Sequence, residues 1–231
     1  MGLPGKLLKV GDHSTRDPSP SLTWVPIRSL AERHRPCILA HLVALPDADR
    51  YLRFGYAASD AQLAHYADLI DFSRDEVFGI FNRRLDLIAM AHLASLPASS
   101  RGPRGEAEFG VSVLPKARCR GHGSRLFERA ALHARNCHVD TLIIHALSQN
   151  TAMLRIARKA GAQVERDGGD SQARLRLPPD DLKSHWKEIL QAQAAEFNYR
   201  FKSSARRFEG LLDGIDEVKD RFARAGGAAS E

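Results

Sequence analysis

Two glycines and a group of basic residues form the part of the sequence best suited to chemistry. Gly121 and Gly123 follow a predicted strand and precede a predicted helix. Glycine lets a backbone approach a ligand closely, and the first turn of a helix presents free amide donors to phosphate. The basic side chains of this loop are Lys116, Arg118, Arg120 and Arg125. Several cations within a few residues predict a ligand with more than one phosphate, as in a pyrophosphate.

A lone Gly-x-Gly pair is more often an ordinary turn between strand and helix, and only a wider order of motifs decides against that interpretation. Arg118-x-x-Gly121-x-Gly123 resembles the acetyl-CoA signature of the GNAT N-acetyltransferase superfamily. The segment from Asn150 to Ala162, in which an asparagine opens a helix that ends at Gly161, resembles a later motif of that family. The two motifs stand in the family's order, and the resemblance extends over roughly residues 22–178.

The resemblance implies a site for acetyl-CoA as co-substrate, without a metal. Backbone amides of residues 120–124 would hold the pyrophosphate, the strand ending at residues 113–114 would pair with the pantetheine arm, and Asn150 would hydrogen-bond that arm. Asn150 also fits an ordinary N-cap, and the two roles are compatible. His122 is expected to face solvent or a phosphate. The implied cofactor-binding residues are Val113, Leu114, Arg118, Arg120, Gly121, His122, Gly123, Ser124 and Asn150.

One position departs from the family's pattern. Members commonly carry a tyrosine seven positions after the asparagine, as general acid to the leaving thiolate, and this chain has Ala157 there. A thiol with a pKa of about 8.5 is a tolerable leaving group at neutral pH even without that acid. The resemblance therefore implies acetyl transfer to an amine by direct attack in a ternary complex. The alternative is a catalytically weak acyl-CoA-binding module that regulates or scaffolds.

Glu108 is the residue we predict to act as general base. An alkylammonium with a pKa of about 10.4 is neutral in about one molecule in a thousand at pH 7, so a base is worth about 4 kcal/mol. Glu108 alternates with Phe109 on the strand that leads into the loop, which favours an orientation towards the acceptor. A solvated glutamate is the other interpretation. His92 and His145 lie inside apolar runs, which is typical of hydrogen-bonded core histidines.

The elements that must position these residues mix strand and helix. The resemblance implies an α+β fold with a GNAT-like mixed, mostly antiparallel central sheet flanked by helices. Periodicity and turn residues predict the individual elements. The predicted strands are 22–27, 77–81, 85–93, 106–114, 141–147 and 173–177, and the predicted helices are about 36–45, 59–70, 123–136 and 150–160.

A long C-terminal amphipathic helix is predicted to follow. Within the extension 179–224, apolar residues recur every three or four positions from Trp186 to Phe222, and from Phe197 they form a heptad seam. The seam needs a cover, which either the chain's own domain or a second copy in a homodimer could supply. The remaining predicted divisions are a flexible arm at 1–20, the GNAT domain at 21–178 and a disordered tail at 225–231.

Composition excludes several classes of function. The 231 residues, 43% of them hydrophobic, suit one catalytic domain with extensions. The net charge of +6 is spread without a long basic run, so nucleic acid is not an expected partner. Three cysteines without ligand spacing predict neither a disulfide framework nor a metal site. No apolar stretch approaches the ~20 residues of a membrane span and no secretory signal is recognisable, so we expect a cytoplasmic protein.

The acceptor leaves little trace in the sequence. Residues 50–54, Arg-Tyr-Leu-Arg-Phe, are similar to a stretch in GNAT domains of bacterial protein-lysine acetyltransferases. The structural interpretation, which we favour, pairs Arg50 and Arg53 with acids such as Asp68 or Asp71 and packs the aromatic residues in the core. The acceptor is therefore expected to be an amine, either a small molecule or a protein lysine.

Overall fold

One mixed sheet forms the centre of the protein. The structure is a computed structural model that describes residues 25–96 and 105–179 together with Glu188 and Ala195. Seven strands lie in the order β1-β2-β3-β4-β5-β7-β6. The strands are β1 (Arg28–Leu30), β2 (Glu76–Phe81), β3 (Leu87–Ser95), β4 (Gly105–Val113), β5 (Val139–Leu147), β6 (Gln163–Asp167) and β7 (Asp170–Arg176). The helices are α1 (Arg35–Val43), α2 (Asp47–Phe54), α3 (Asp60–Leu69), α4 (His122–Asn136) and α5 (Thr151–Lys159).

The two central strands are parallel and pair over only part of their length. All other neighbouring strands are antiparallel. β4 and β5 pair from Gly105 with Val139 as far as Glu108 with Ile143. Beyond that pair the strands part, and we call the space between their carboxyl-terminal halves the β4–β5 gap. The gap opens towards the loops that lead into α4 and α5.

Each face of the sheet is covered by its own set of helices. The side chains of Phe109, Leu126 and Leu142 belong to the cluster between the sheet and helices α4 and α5. Ile38, Leu63 and Met90 belong to the cluster on the opposite face, with α1 and α3. Because side chains alternate along a strand, even-numbered residues of β4, and those of β3 from Met90 onwards, face α1 and α3. Fully burying one large apolar side chain stabilises the fold by about 1.5–3 kcal/mol.

Two helix starts agree with the sequence-based prediction. Ser59 caps α3, since its Oγ accepts from the Gln62 amide at 3.3 Å while Gln62 Oε1 accepts from the Ser59 amide at 2.9 Å. Asn150 caps α5, with its Oδ1 accepting from the Met153 amide at 3.1 Å. Such caps satisfy amides that the helix itself cannot. The two caps fix where the chain enters α3 after α2 and where it enters α5 after β5.

Other elements differ from the prediction. Among the described residues the first strand is Arg28–Leu30, and residues 25–27 of the predicted strand 22–27 are not part of a strand, since Pro26 has no amide to donate to a ladder. Residues 22–24 lie outside the described residues. Helix α2 and strand β6 were not predicted. The proposed arm, most of the C-terminal extension and the tail lie outside the described residues. Within the described part of the chain, no helix combines the length and apolar character needed to cross a bilayer.

Glu188 joins the beginning of the C-terminal extension to α4. Glu188 Oε1 lies 2.6 Å from His133 Nδ1 and 3.3 Å from Arg129 Nη1, and Asn136 Nδ2 donates to its other oxygen. Ala195, seven residues further along the chain, is 2% exposed. Burial alone would lower the pKa of His133, but hydrogen bonds with Cys137 and Glu188 raise it to about 10. At neutral pH His133 is therefore an imidazolium paired with a carboxylate of its own chain.

Replacing Glu188 tests this contact. We expect Glu188→Gln to destabilise the protein by about 2 kcal/mol near neutral pH, since it removes charge-assisted hydrogen bonds. The pKa of His133 is raised on folding, from about 6.5 to about 10, so its contribution is complete below the first value and lost as pH rises through the second. Thermal unfolding followed by circular dichroism should show a difference from wild type that shrinks across this window. A difference independent of pH would contradict the pairing, and Glu32→Gln, at an exposed pair with Arg35, serves as control.

Candidate active site

The main chain of β4 presents hydrogen-bonding groups to the β4–β5 gap. Leu114 N donates to Ile88 O of β3 at 3.0 Å, and Glu106 O accepts from the other end of β3. Because main-chain groups alternate in direction along a strand, those of even-numbered residues point to β3 and those of odd-numbered residues point the other way. Past Glu108, therefore, Val111 and Val113 direct their amide and carbonyl groups into the gap.

The direction of the main-chain groups decides which of the strand residues named from the family resemblance face the gap. Val113 faces the gap, and its carbonyl accepts from Arg118 Nε at 3.2 Å. Leu114 does not face the gap, since its amide donates to Ile88 O and its carbonyl accepts from the Ala117 amide at 2.8 Å. Val111 was missed, although simple alternation from Val113 would have indicated it. Two residues at period two, Val111 and Val113, are thus placed to pair with an extended ligand.

The loop at the open end of the gap has the features of an anion site. Gly121 precedes α4 with a φ of +74°, a left-handed conformation that costs other residues about 1–2 kcal/mol. No side chain among the described residues caps α4, so the amides of His122, Gly123 and Ser124 lack acceptors within the helix. A Cβ on Gly123 would lie 3.1 Å from Ile156 Cδ1 of α5, so a larger residue would require that side chain to shift by a few tenths of an ångström.

The basic side chains of the loop differ in their exposure and in their ion pairs. Lys116 and Arg120 are exposed. Arg118 forms an ion pair with Asp49, in the first turn of α2. His122 is 7% exposed, contrary to the expectation that it faces solvent or a phosphate. Burial, followed by Arg125 and Arg120, lowers its pKa, so His122 is neutral at pH 7. Its Nδ1 is buried and has no hydrogen-bond partner among the described residues.

Helix α2 covers the β4–β5 gap. The Arg53 guanidinium lies directly on Gly110 of β4, where even one methyl group would collide with it. Asn150 Nδ2 donates to Leu52 O at 3.2 Å, so the residue that caps α5 also holds α2. Leu52 and Arg53 of the short motif at 50–54 therefore contact the candidate site, although the sequence favoured a purely structural role.

Arg50 does have a structural role, with partners that differ from those expected. Its guanidinium pairs with Asp60 at 2.7 Å instead of Asp68 or Asp71. It also donates to the carbonyl groups of Val43, Leu45 and Ala58. Tyr51, predicted to pack in the core, is 41% exposed. Arg50 thus ties the end of α1 to the start of α3, which sets the position of α2 between them.

A cavity of about 690 Å³, which we call the α2–α3 cavity, adjoins the gap on the face of α1 to α3. Its polar lining includes Arg53, Tyr66, Glu108, His145, Glu165 and Arg166. Glu108 reaches it because it is even-numbered, as the alternation predicted. His145, predicted to be a core histidine, is exposed here because β5 has already parted from β4. Ala157, by contrast, lies on the buried face of α5 and supplies no acid.

A row of hydrogen bonds leads from this cavity into the sheet. Arg53 Nη2 donates to Tyr66 Oη at 3.1 Å, and Tyr66 Oη lies 2.7 Å from His92 Nδ1. His92 Nε2 lies 3.1 Å from Asp75 Oδ2. His92 is thus a hydrogen-bonded, buried histidine, as predicted. Tyr66 was missed as a polar residue because its helical spacing marked it as apolar packing, and its partner is 26 positions away in sequence.

Comparison with known proteins gives a family and a fold. The model of the acetyltransferase (GNAT) domain matches residues 25–163, more than half of the chain. No curated protein sequence matches the chain. The fold is similar to that of the GNAT domain of S. lividans PAT, with a TM-score of 0.56 and 21% identity over 65% of this chain and 89% of that one.

Two further structures are similar at still lower identity. The S. typhimurium protein yncA, assigned as a candidate acetyltransferase and determined with its cofactor acetyl-CoA, has a TM-score of 0.52 and 15% identity over 69% of this chain and 97% of that one. A GNAT-family acetyltransferase from Streptococcus pneumoniae has a TM-score of 0.52 and 14% identity over 66% and 98%. At these identities the likeness is one of fold.

The loop should distinguish ligands by their phosphates. We expect Arg120→Gln to weaken binding of coenzyme A by about tenfold, since one exposed cation near a phosphate contributes about 1 kcal/mol or slightly more. Binding of pantetheine, which lacks the phosphates, should be unchanged. Calorimetric titration checks both, and Arg33→Gln, at an exposed arginine beside α1, controls for net charge. Equal weakening of the two ligands by Arg120→Gln would contradict phosphate recognition by this loop.

Proposed function

Because the chain belongs to the GNAT acetyltransferase family, we propose that it transfers an acetyl group from acetyl-CoA to a primary amine in a ternary complex. The observation that carries this proposal is the β4–β5 gap. At its open end lie the uncapped amides of α4, and on its flank lies a cavity lined by a carboxylate. One space can thus hold a long phosphorylated ligand while the other admits an amine.

The chain's own groups fit coenzyme A along the gap. The amides of His122, Gly123 and Ser124 would bind the pyrophosphate, with Arg118 and Arg120 offsetting its charge. The main-chain groups of Val111 and Val113 would pair with the amides of the pantetheine arm as another strand would. A ligand bound in this way places its thioester beside Glu108, where the two strands begin to part.

Asn150 can contact the same arm while it caps α5. Its Oδ1 already accepts from Met153 and its Nδ2 already donates to Leu52. An amide group has two lone pairs and two hydrogens, so one of each is left for a ligand. The capping role and the binding role are compatible in this geometry.

Glu108 is the proposed general base. It is half-buried in the wall of the α2–α3 cavity, where an amine that approaches the gap must pass. Its carboxylate would take a proton from the ammonium and so produce the nucleophile. Direct attack needs both substrates at once, which the adjoining gap and cavity permit. Cys119 is exposed on the loop beside Gly121 and does not line the α2–α3 cavity, so we propose no acyl-enzyme route through it.

One observation favours a different function. Ala157 stands in the core where the family commonly has its acid, so the chain could bind acyl-CoA with little turnover and act as a regulatory or scaffold module. Such a module would use its C-terminal helix to form a homodimer through the seam from Phe197 to Phe222, which lies outside the described residues. Sedimentation of the full chain tests this, because a monomer at all concentrations contradicts the homodimer.

Substituting the carboxylate separates the two functions. We expect Glu108→Gln to lower kcat by about 100-fold or more, with the affinity for acetyl-CoA unchanged, because general-base catalysis contributes about 10² to 10⁴ in rate. Free-thiol release is measured with polyamines, amino acids, aminoglycosides and lysine peptides as acceptors. Glu106→Gln is the matched control, since Glu106 lies two residues earlier on the same face and faces Arg174 at 4.0 Å.

The possible outcomes have different meanings. Full turnover by Glu108→Gln would contradict the assignment of the base while leaving acetyl transfer in place. A wild-type protein that binds acetyl-CoA but acetylates none of these amines would favour the regulatory module. Preference for lysine peptides over small amines would identify the acceptor as a protein.

A further inference from the structure

Tyr66 links the α2–α3 cavity to two buried titratable side chains. Its hydroxyl accepts from Arg53 and lies against His92, which in turn lies against Asp75. Asp75 is 6% exposed, and its other oxygen accepts from the Ser95 amide at 3.1 Å. Arg74 Nε also lies 3.3 Å from that oxygen. The row therefore ends in a carboxylate that is held from both sides.

The direction of each hydrogen bond follows from chemistry. A guanidinium can only donate, so the Tyr66 oxygen is the acceptor towards Arg53. The Tyr66 proton is then free to point at His92 Nδ1, 2.7 Å away, which must be the acceptor nitrogen. His92 consequently carries its own hydrogen on Nε2 and donates it to Asp75. Every proton of the row points away from the cavity.

We propose that Tyr66 is a catalytic residue that takes a proton from the attacking amine and passes its own proton to His92, while Asp75 stabilises the resulting imidazolium. The inference rests on the proposed acetyl transfer, because that reaction is what brings an amine into the cavity. The Tyr66 oxygen keeps one lone pair beyond the bond from Arg53, and it can therefore accept from a ligand.

The step balances with Glu108 as its partner. An alkylammonium gives up two protons when it becomes an amide. Glu108 takes the first and frees the nitrogen lone pair. As the N–C bond forms and the C–S bond breaks with its electron pair on sulfur, the Tyr66 oxygen takes the second, and the Tyr66 proton moves to His92 Nδ1. One of the two protons ends on the sulfur of coenzyme A and the other in water, which restores all the side chains.

The groups around His92 leave its ring neutral, so that it can accept a proton from Tyr66. His92 is faced by Tyr66 of α3, Arg53 of α2, Asp75 before β2 and Glu108 of β4. Burial, then Arg53, lowers the pKa of His92, although Asp75 and Glu108 oppose the change. Burial raises the pKa of Tyr66. Both side chains are therefore neutral at pH 7, and the guanidinium of Arg53 favours the negative charge that develops on the tyrosine oxygen.

The relay also supplies a substitute for the tyrosine that the family commonly has and that this chain lacks at position 157. The acid commonly carried by α5 is absent at Ala157, on the opposite face of the sheet. Tyr66 approaches the same gap from α3, and it can return its proton after the C–S bond breaks. The protein thus retains a tyrosine hydroxyl at the reaction centre, supplied by a different element.

Tyr66→Phe tests the relay with little change in shape. The ring remains packed edge-on against His92 and Phe54, and only the oxygen is lost. We expect kcat to fall by about 100-fold and the KM for acetyl-CoA to stay within about twofold. The matched control is Tyr51→Phe, which removes an exposed hydroxyl from α2 and should leave kcat unchanged. Wild-type kcat in Tyr66→Phe would overturn the proposal.

Asp75→Asn gives a second test, because a merely structural role of Asp75 would not produce the expected change in the pH profile. Asp75 raises the pKa of His92, so its loss should move the acidic limb of the kcat profile to lower pH and reduce kcat by about tenfold. An unmoved acidic limb with wild-type kcat overturns the relay. Nitrogen NMR of the ring should show His92 with its hydrogen on Nε2, and the Nδ1 tautomer would also overturn it.

The two proposals fail in different ways. If the wild-type protein acetylates no amine, the proposed function fails and the relay fails with it. If wild type and Tyr51→Phe are active and Glu108→Gln is not, but Tyr66→Phe is fully active, only the relay fails. Should Tyr66→Phe unfold, as its melting temperature would show, Asp75→Asn and the His92 tautomer decide.

Discussion

The whole site depends on the parting of β4 and β5 after Glu108. Parallel strands that remained paired would use the main-chain groups of Val111 and Val113 within the sheet. Because the strands part, those groups are available to a ligand, and the loop before α4 and the cap of α5 open on the same space. The same parting exposes His145 and gives Glu108 a place in the wall of a cavity. The proposed cofactor site and the proposed acceptor site therefore both depend on one irregularity of the sheet.

Helix α2 contacts both of those proposed sites. At its start Asp49 pairs with Arg118 of the phosphate loop, and at its end Arg53 lies on Gly110 beside Tyr66. Near the end it also accepts from Asn150. Helix α2 thus contacts both the loop before α4 and the strand that lines the gap. This connection gives a short polar helix of eight residues an importance that its length would not suggest.

The sequence predicted the elements with strong local signals and missed those defined by distant contacts. The hairpin of β2 and β3, strand β4 and helices α4 and α5 carry clear periodicity, and the two motifs indicated the family that the chain belongs to. Helix α2 follows Pro46 and has two acids in its first turn, which are signals of a helix start, but it has only eight residues and was not predicted. Strand β6 is short and mostly polar. The orientation of Glu108 followed from alternation. The row from Tyr66 to Asp75 and the parting of β4 and β5 join residues far apart in sequence, which local patterns cannot indicate.

The most direct test of this account is a titration of the protein with acetyl-CoA followed by amide NMR spectra. The account predicts that the largest changes occur at the amides of Val111, Val113 and residues 122–124, which line the gap and its open end. The amide of Leu114, bonded to Ile88 of β3, should change less than its neighbour at Val113. Changes confined to other surfaces, with Val111 and Val113 unaffected, would contradict binding in the β4–β5 gap and with it the proposed reaction.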